Sequence, residues 1–134
     1  VKDAFPVQTV PMGYVTEPER MRDLYRCADL LLMPSLMDNL PNTIVEAMAC
    51  GVPCVGFRVG GITQMIDMDI NGYLADYCDS LDLAKGILTT LNSPSYPAMS
   101  RNARSKSVSC YSEKTVAERY LALYRQLLKG CLEN

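Results

Sequence analysis

Hydrophobic and polar positions follow two patterns along the chain: short apolar runs, and longer stretches in which apolar residues recur at helical spacing. The apolar runs at 30–33 and 53–57 are bounded by turn-forming residues and have the length of strands buried on both faces. Two further short strands are predicted at 7–12 and 73–75. This alternation predicts an α/β fold in one domain, with a Rossmann-like parallel sheet flanked by helices. The predicted helices lie near 16–28, 44–50, 62–68, 80–91, 98–108 and 112–128.

Residues that favour helix ends flank these helical stretches. Thr16 with Glu19 forms the pattern of a capping box, and Gly51 suits the left-handed conformation that follows a helix. Pro53 prevents continuation, so the helix at 44–50 leads directly into a strand. The predicted N-caps of three other helices are Asn42 or Thr43, Asp79 or Ser80, and Ser112.

Two carboxylates, those of Asp38 and Glu46, stand eight positions apart between the strands at 30–33 and 53–57. In parallel strand–helix–strand units, the loop that leaves the carboxyl end of a strand opens where ligands bind. The helix that follows presents free backbone N–H groups and the positive end of its dipole, which favour an anion such as phosphate. Asp38 lies in this loop and Glu46 about one turn into the helix, so both could accept hydrogen bonds from ligand hydroxyls. The sequence therefore predicts a site for a phosphate-bearing ligand.

The composition excludes several classes of protein. With 134 residues, 49% of them hydrophobic and 21% charged, the chain can form one globular domain with a core. A net charge of -2 argues against sequence-independent binding to nucleic acid. No apolar run reaches the length of a membrane span and residues 1–5 lack the core of a signal peptide, so we expect a cytoplasmic protein. The six cysteines form no CxxC pair and histidine is absent, which predicts reduced thiols and no bound metal.

An ordered set of short motifs extends over nearly the whole chain. The motifs are Gly13-Tyr14-Val15, Ala28-Asp29, Pro34-Ser35, Glu46 to Pro53, Gly60-Gly61-Ile62, Asn71 to Leu74 and Tyr120 to Tyr124. Together with the acidic pair, they resemble the donor-binding domain of the group 1 (family 4-like) retaining glycosyltransferases with the GT-B fold. In that family, two acidic residues separated by seven others precede an Ala-rich helix and a Gly-x-Pro turn.

The resemblance implies that residues 1–134 are a fragment, the C-terminal nucleotide-sugar-binding portion of a GT-B protein. The family's N-terminal acceptor domain is missing, as are two strand–helix units that bring a basic pair to the donor diphosphate. In the family's sheet those two strands separate the counterparts of 7–12 and 30–33. The chain must therefore pair these strands directly or leave edges open. The apolar stripe of the last helix would be exposed or buried in a homodimer.

The resemblance also implies roles for individual residues. Glu46 matches the acid that accepts hydrogen bonds from the ribose hydroxyls of the nucleotide. Asp38 matches the acid of the catalytic site, which lies by the donor sugar and its reacting carbon. The loop donors that hold the sugar and the diphosphate correspond to Asn39, Leu40, Asn42 and Thr43.

Each of these residues has a purely structural interpretation as well. Glu46 could complement the dipole of its helix, a stabilisation of about 0.3 to 1 kcal/mol. Asp38 followed by Asn39 is a common turn-forming pair. Gly60 and Gly61 could approach the nucleotide or make a turn, and we favour the turn.

The function implied by the resemblance is a hexosyltransferase-type reaction. A sugar would pass from a nucleoside-diphosphate sugar to a glycan or lipid-linked acceptor with retention of configuration, without a metal or other cofactor. The fragment alone is expected to be inactive. Members of the family commonly work in polysaccharide biosynthesis. The resemblance therefore implies a cytoplasmic protein, with peripheral attachment to the inner face of the membrane as an alternative location. The open alternatives are a non-catalytic nucleotide-sugar-binding module, a sugar-nucleotide epimerase and a glycogen synthase relative.

Overall fold

The computed structural model describes residues 7–132, and their side chains as far as residue 129. Within residues 7–132 the chain forms six helices and three strands. In chain order they are α1 (Pro18–Arg26), β1 (Leu31–Met33), α2 (Asn42–Ala49), β2 (Cys54–Phe57), α3 (Ile62–Met65), β3 (Gly72–Ala75), α4 (Ser80–Leu91), α5 (Tyr96–Tyr111) and α6 (Glu113–Leu132). None of these helices is both long and apolar enough to cross a membrane.

The three strands form one parallel sheet in the order β1-β2-β3. Leu31 is in register with Cys54, and Cys54 with Gly72. A side chain at position 72 would overlap the Cys54 carbonyl oxygen, so the close approach of β3 to β2 requires glycine there. Every residue of the central strand β2 is buried. The α/β fold with a parallel sheet flanked by helices is therefore confirmed.

Two apolar clusters hold the helices against the sheet. The larger cluster is centred on α2, whose Ile44 and Met48 are fully buried, and it includes Tyr25 of α1. The smaller cluster joins β2, β3 and α4, with Val55 and Leu83 among its members. Because α2 packs against α1, α5 and the sheet, its orientation is fixed from several sides.

The strand predicted at 7–12 does not form, and residues 8–17 have no regular secondary structure. A strand is stable where its backbone groups find partners, and no other strand pairs with this segment in the described part of the chain. Within residues 7–132, β1 accordingly pairs with β2 alone and its other edge is open, with Leu32 41% exposed. Of the two arrangements expected from the resemblance, the structure has the open edge.

Two of the predicted N-caps are wrong. The N-cap of α1 is Glu17 rather than Thr16, because Pro18 fits the first helical position. α2 begins at Asn42 because the fixed φ of Pro41, −66°, already provides the extended residue that precedes a helix. Asn42 and Thr43 therefore lie inside the first turn of α2, and no side chain caps that helix.

The other predicted helix ends are confirmed. Asp79 accepts hydrogen bonds from the N–H groups of Leu81 and Asp82 at 2.9 and 3.0 Å. The Ser112 hydroxyl accepts from a backbone N–H three residues later, at 3.3 Å. Gly51 follows α2 with a φ of +81°, the left-handed conformation that glycine adopts without strain. The chain turns sharply there and enters β2.

The predicted apolar stripe of α6 lies on the surface. Tyr120, Tyr124 and Leu128 are each more than half exposed, and the two tyrosine rings are 6.2 Å apart. α6 packs on α5. In the single chain the stripe is therefore uncovered, and its burial in a homodimer stays a prediction.

Candidate functional site

The start of α2 carries unbonded backbone donors. The N–H groups of Asn42 and Thr43 have no acceptor among the described residues, whereas the Ile44 N–H bonds to the Pro41 carbonyl oxygen at 3.1 Å. Asn42 and Thr43 are exposed, at the end of the loop that follows β1. Free donors at the positive end of an eight-residue helix are suited to an anion.

The loop before α2 is held by Gly60 and Gly61, which follow β2. The Gly61 N–H donates to the Asp38 carbonyl oxygen at 3.3 Å. A Cβ atom on Gly60 would overlap that same carbonyl oxygen, and one on Gly61 would overlap the carbonyl oxygen of Asn39. The close approach of two backbone segments therefore explains the glycine pair, a reason that differs from both interpretations weighed in the sequence.

The predicted loop residues lie together at the carboxyl edge of the sheet. Asp38 is partly buried, and its carboxylate has no hydrogen-bond or ion-pair partner within the described ranges. Asn39 is exposed, and Leu40 is 44% exposed. The carboxylate and the free donors of α2 are thus available to a ligand at this edge.

Glu46 lies one turn into α2 and is held by Tyr25 of α1. The Tyr25 hydroxyl donates a hydrogen bond to Glu46 Oε2 at 3.0 Å. Tyr25 is 8% exposed, whereas Glu46 is exposed. Burial and then the hydrogen bond to Glu46 raise the pKa of Tyr25 from an ordinary 10.0 to about 12. The phenol therefore remains a neutral donor near pH 7, and Glu46 Oε1 has no partner among the described residues.

A pocket of about 270 Å³ opens between α1 and α2 beside this hydrogen bond. Its lining is mostly apolar, and its charged side chains are Arg22 and Glu46. Glu46 thus lines a space that a ligand could occupy. The lining residues are Pro18, Met21, Arg22, Tyr25, Glu46, Ala49 and Cys50.

Tyr25 carries no site signal in the sequence, because its helical spacing assigns it to the apolar face of α1. The signal that could have identified it is chemical, since a buried phenol needs a hydrogen-bond partner. Arg58, at the same edge of the sheet, has partners in and just after β3: its guanidinium donates to the Leu74 carbonyl oxygen at 3.4 Å and lies 3.9 Å from Asp76. Over the part of the chain that the structure describes, no cluster of three His, Cys, Asp or Glu side chains could hold a metal ion.

The fold and the site together define a class of protein. A parallel sheet flanked by helices, a loop open at its carboxyl edge and an uncapped helix start are the features of an α/β domain that binds a phosphate-bearing ligand. A family model described as "Glycosyl transferases group 1" matches residues 6–93, well over half of the chain and a stretch that contains both acids. The chain belongs to the group 1 glycosyltransferases, which confirms the family inferred from its motifs.

Curated proteins are similar to the chain over most of its length. N-acetyl-alpha-D-glucosaminyl L-malate synthase of Bacillus anthracis is 28% identical over 117 residues, which make up 87% of this chain and 31% of that protein. D-inositol 3-phosphate glycosyltransferase of Saccharomonospora viridis is 31% identical over 107 residues, 79% of this chain and 25% of that protein. The chain thus spans less than a third of the length of these relatives.

Solved structures of glycosyltransferases share the fold. Sucrose-phosphate synthase from Thermosynechococcus elongatus has a TM-score of 0.74 and 27% identity, over 84% of this chain and 28% of that one. Anabaena HepE in complex with UDP has a TM-score of 0.71 and 25% identity, over 77% of this chain and 29% of that one. These similarities confirm the predicted fold class, a parallel sheet flanked by helices as in GT-B glycosyltransferases.

Proposed function

We propose that the chain is the nucleotide-sugar-binding part of a glycosyltransferase. The observation that carries this proposal is the uncapped start of α2, with Asp38 in the loop before it and Glu46 one turn after it. This arrangement offers N–H donors to a diphosphate and carboxylates to hydroxyls on either side of it. HepE, which is 25% identical to the chain in each case, was solved with UDP and with UDP and glucose, and this supports a nucleotide-sugar as the ligand.

In the proposed complex each group has a separate task. Glu46 accepts hydrogen bonds from the ribose hydroxyls, because a carboxylate offers acceptors only. The N–H groups of Asn42 and Thr43 hold the diphosphate. Asp38 lies by the reacting carbon of the sugar, and the loop residues Asn39 and Leu40 help to hold the donor there. As the bond to the sugar breaks, negative charge grows on the diphosphate, and donors already in place stabilise that charge without reorganising.

We further propose that the reaction is a hexosyl transfer with retention to a glycan or lipid-linked acceptor, without a metal. Residues 1–134 would then be the C-terminal donor-binding part of a longer protein, whose other parts bind the acceptor and supply the basic pair. On this proposal the 134-residue chain alone does not transfer sugar, and the whole protein works in polysaccharide biosynthesis on the cytoplasmic side of a membrane. Sugar transfer that persists in EDTA, with the stereochemistry of the product read by NMR, would support these inferences.

Calorimetric titration of the whole protein tests donor binding directly. The ligands are glucose esters of uridine, guanosine and adenosine diphosphate, titrated into the wild type and into Glu46→Ala. We expect one nucleotide to bind the wild type, and Glu46→Ala to bind it at least about tenfold more weakly, because hydrogen bonds to a charged group are lost. Glu113→Ala, which removes an exposed first-turn glutamate of α6, is the matched control and should bind like the wild type. Equal affinity in all three proteins would leave Glu46 with a helix-dipole role.

A further inference from the structure

We propose that Tyr25 is a positioning residue of the donor site, whose hydroxyl holds one oxygen of the Glu46 carboxylate so that the other is presented to the ribose. The inference rests on the function proposed above. It assigns a role to a residue of α1, a different element from the loop and helix that carry both acids.

The Glu46 carboxylate keeps spare hydrogen-bonding capacity when Tyr25 is bonded to it. Tyr25 donates to Glu46 Oε2 at 3.0 Å, and Oε1 has no partner among the described residues. An ionised carboxylate can accept about four hydrogen bonds. One donor therefore leaves enough capacity for both hydroxyls of a ribose, so the contact with Tyr25 orients the carboxylate without occupying it.

Tyr25 is held in a fixed place relative to the helix that carries Glu46. Glu46 is exposed on the surface of α2, and an exposed glutamate samples several rotamers whose loss opposes binding. Tyr25 is buried in the same core cluster as Ile44 and Met48, which belong to the helix that carries Glu46. The phenol is thus fixed relative to α2, and its hydroxyl selects one orientation of the carboxylate before a ligand arrives.

Within the described part of the chain, no cation competes with Tyr25 for the Glu46 carboxylate. Arg22 lines the same pocket, but its guanidinium lies 3.2 Å from the Asp23 carboxylate and makes no ion pair with Glu46. Over the described residues, Tyr25 is therefore the side chain that bonds to the Glu46 carboxylate. Removing its hydroxyl frees the carboxylate while leaving the pocket open.

The test is Tyr25→Phe, which keeps the buried ring and removes only the hydroxyl. Uridine, guanosine and adenosine diphosphates are titrated calorimetrically into the whole protein, followed by the 2′,3′-dideoxy form of whichever binds best. We expect Tyr25→Phe to bind the ribose form about three- to tenfold more weakly, the effect of one hydrogen bond, and the dideoxy form with wild-type affinity. In a Glu46→Ala background the same change should have no further effect.

Tyr96→Phe is the matched control, because Tyr96 also loses a hydrogen bond, the one it donates to the Asp29 carbonyl oxygen at 2.7 Å ahead of β1. It should bind both ligands like the wild type. The inference is overturned if Tyr25→Phe weakens the ribose and dideoxy forms equally, which is what a purely structural role predicts, or weakens neither. If the wild type binds none of the three nucleotides, the proposed function fails as well, so the two failures are distinguishable.

Discussion

The substitution Gly61→Ala tests how closely the loop packs against Gly61, because it adds a methyl group without straining the backbone. Gly61 has an ordinary φ of −75°, which alanine adopts freely, so the substitution acts only through the added methyl group. That methyl group would overlap the Asn39 carbonyl oxygen, a backbone atom that cannot move without its loop. The loop that carries Asp38 must therefore shift.

The size of the effect follows from this overlap. Inserting a methyl group into a packed interior costs about 1 to 3 kcal/mol of the free energy of unfolding. A displacement of about 1 Å in a substrate-positioning group can reduce activity about 100-fold. We therefore expect Gly61→Ala to lower the free energy of unfolding in urea by about 1 to 3 kcal/mol. We also expect the folded variant to bind the donor much more weakly than the wild type.

Gly86→Ala is the matched control for this substitution. Its methyl group would overlap the Tyr73 ring on the far side of the sheet, between α4 and β3, so it should destabilise the fold without moving the loop. Donor affinity measured below the unfolding transition should fall in Gly61→Ala and not in Gly86→Ala. Wild-type stability and affinity in Gly61→Ala would refute the close approach of the two segments.

Three further predictions concern stability and reactivity. Asp79→Ala should destabilise the protein in urea by about 0.5 to 2 kcal/mol through loss of the α4 cap, whereas Ser80→Ala should change little. Folding raises the pKa of Tyr25 from 10.0 to about 12, which means that the folded state favours the neutral phenol. The resulting contribution to the free energy of unfolding is present below pH 10 and is lost as the pH rises toward 12. Tyr25→Phe, measured in parallel, should lack this loss. Burial raises the pKa of the Cys54 thiol to about 12, so a thiol reagent should label exposed Cys27 in the folded protein and Cys54 only after unfolding.

Local patterns predicted most of the elements because those elements depend on nearby residues. The strands at 30–33 and 53–57 are observed as Leu31–Met33 and Cys54–Phe57, since each apolar run is bounded by residues that end a strand. α5 is longer than the predicted 98–108 because Pro97 fits its first turn instead of interrupting it. The segment at 7–12 differs because a strand requires a partner, and partnership is not a local property.

The positions of the two candidate site acids in the fold could be predicted from spacing along one segment. Asp38 and Glu46 belong to one loop and its helix, so their positions follow from the sequence between two strands. The Tyr25 contact joins residues 21 positions apart, and Gly61 meets a loop that precedes a whole helix and strand. Such contacts depend on the packing of α1 and β2 against α2, which hydrophobic spacing alone does not specify.

A crystal structure of the whole protein with UDP tests the central claim most directly, with GDP or ADP in its place if calorimetry selects one of them. The account predicts the ribose hydroxyls within hydrogen-bond distance of Glu46, whose Oε2 is bonded to Tyr25, and the diphosphate against the N–H groups of Asn42 and Thr43. A nucleotide bound away from the start of α2, or with its ribose turned from Glu46, would contradict it.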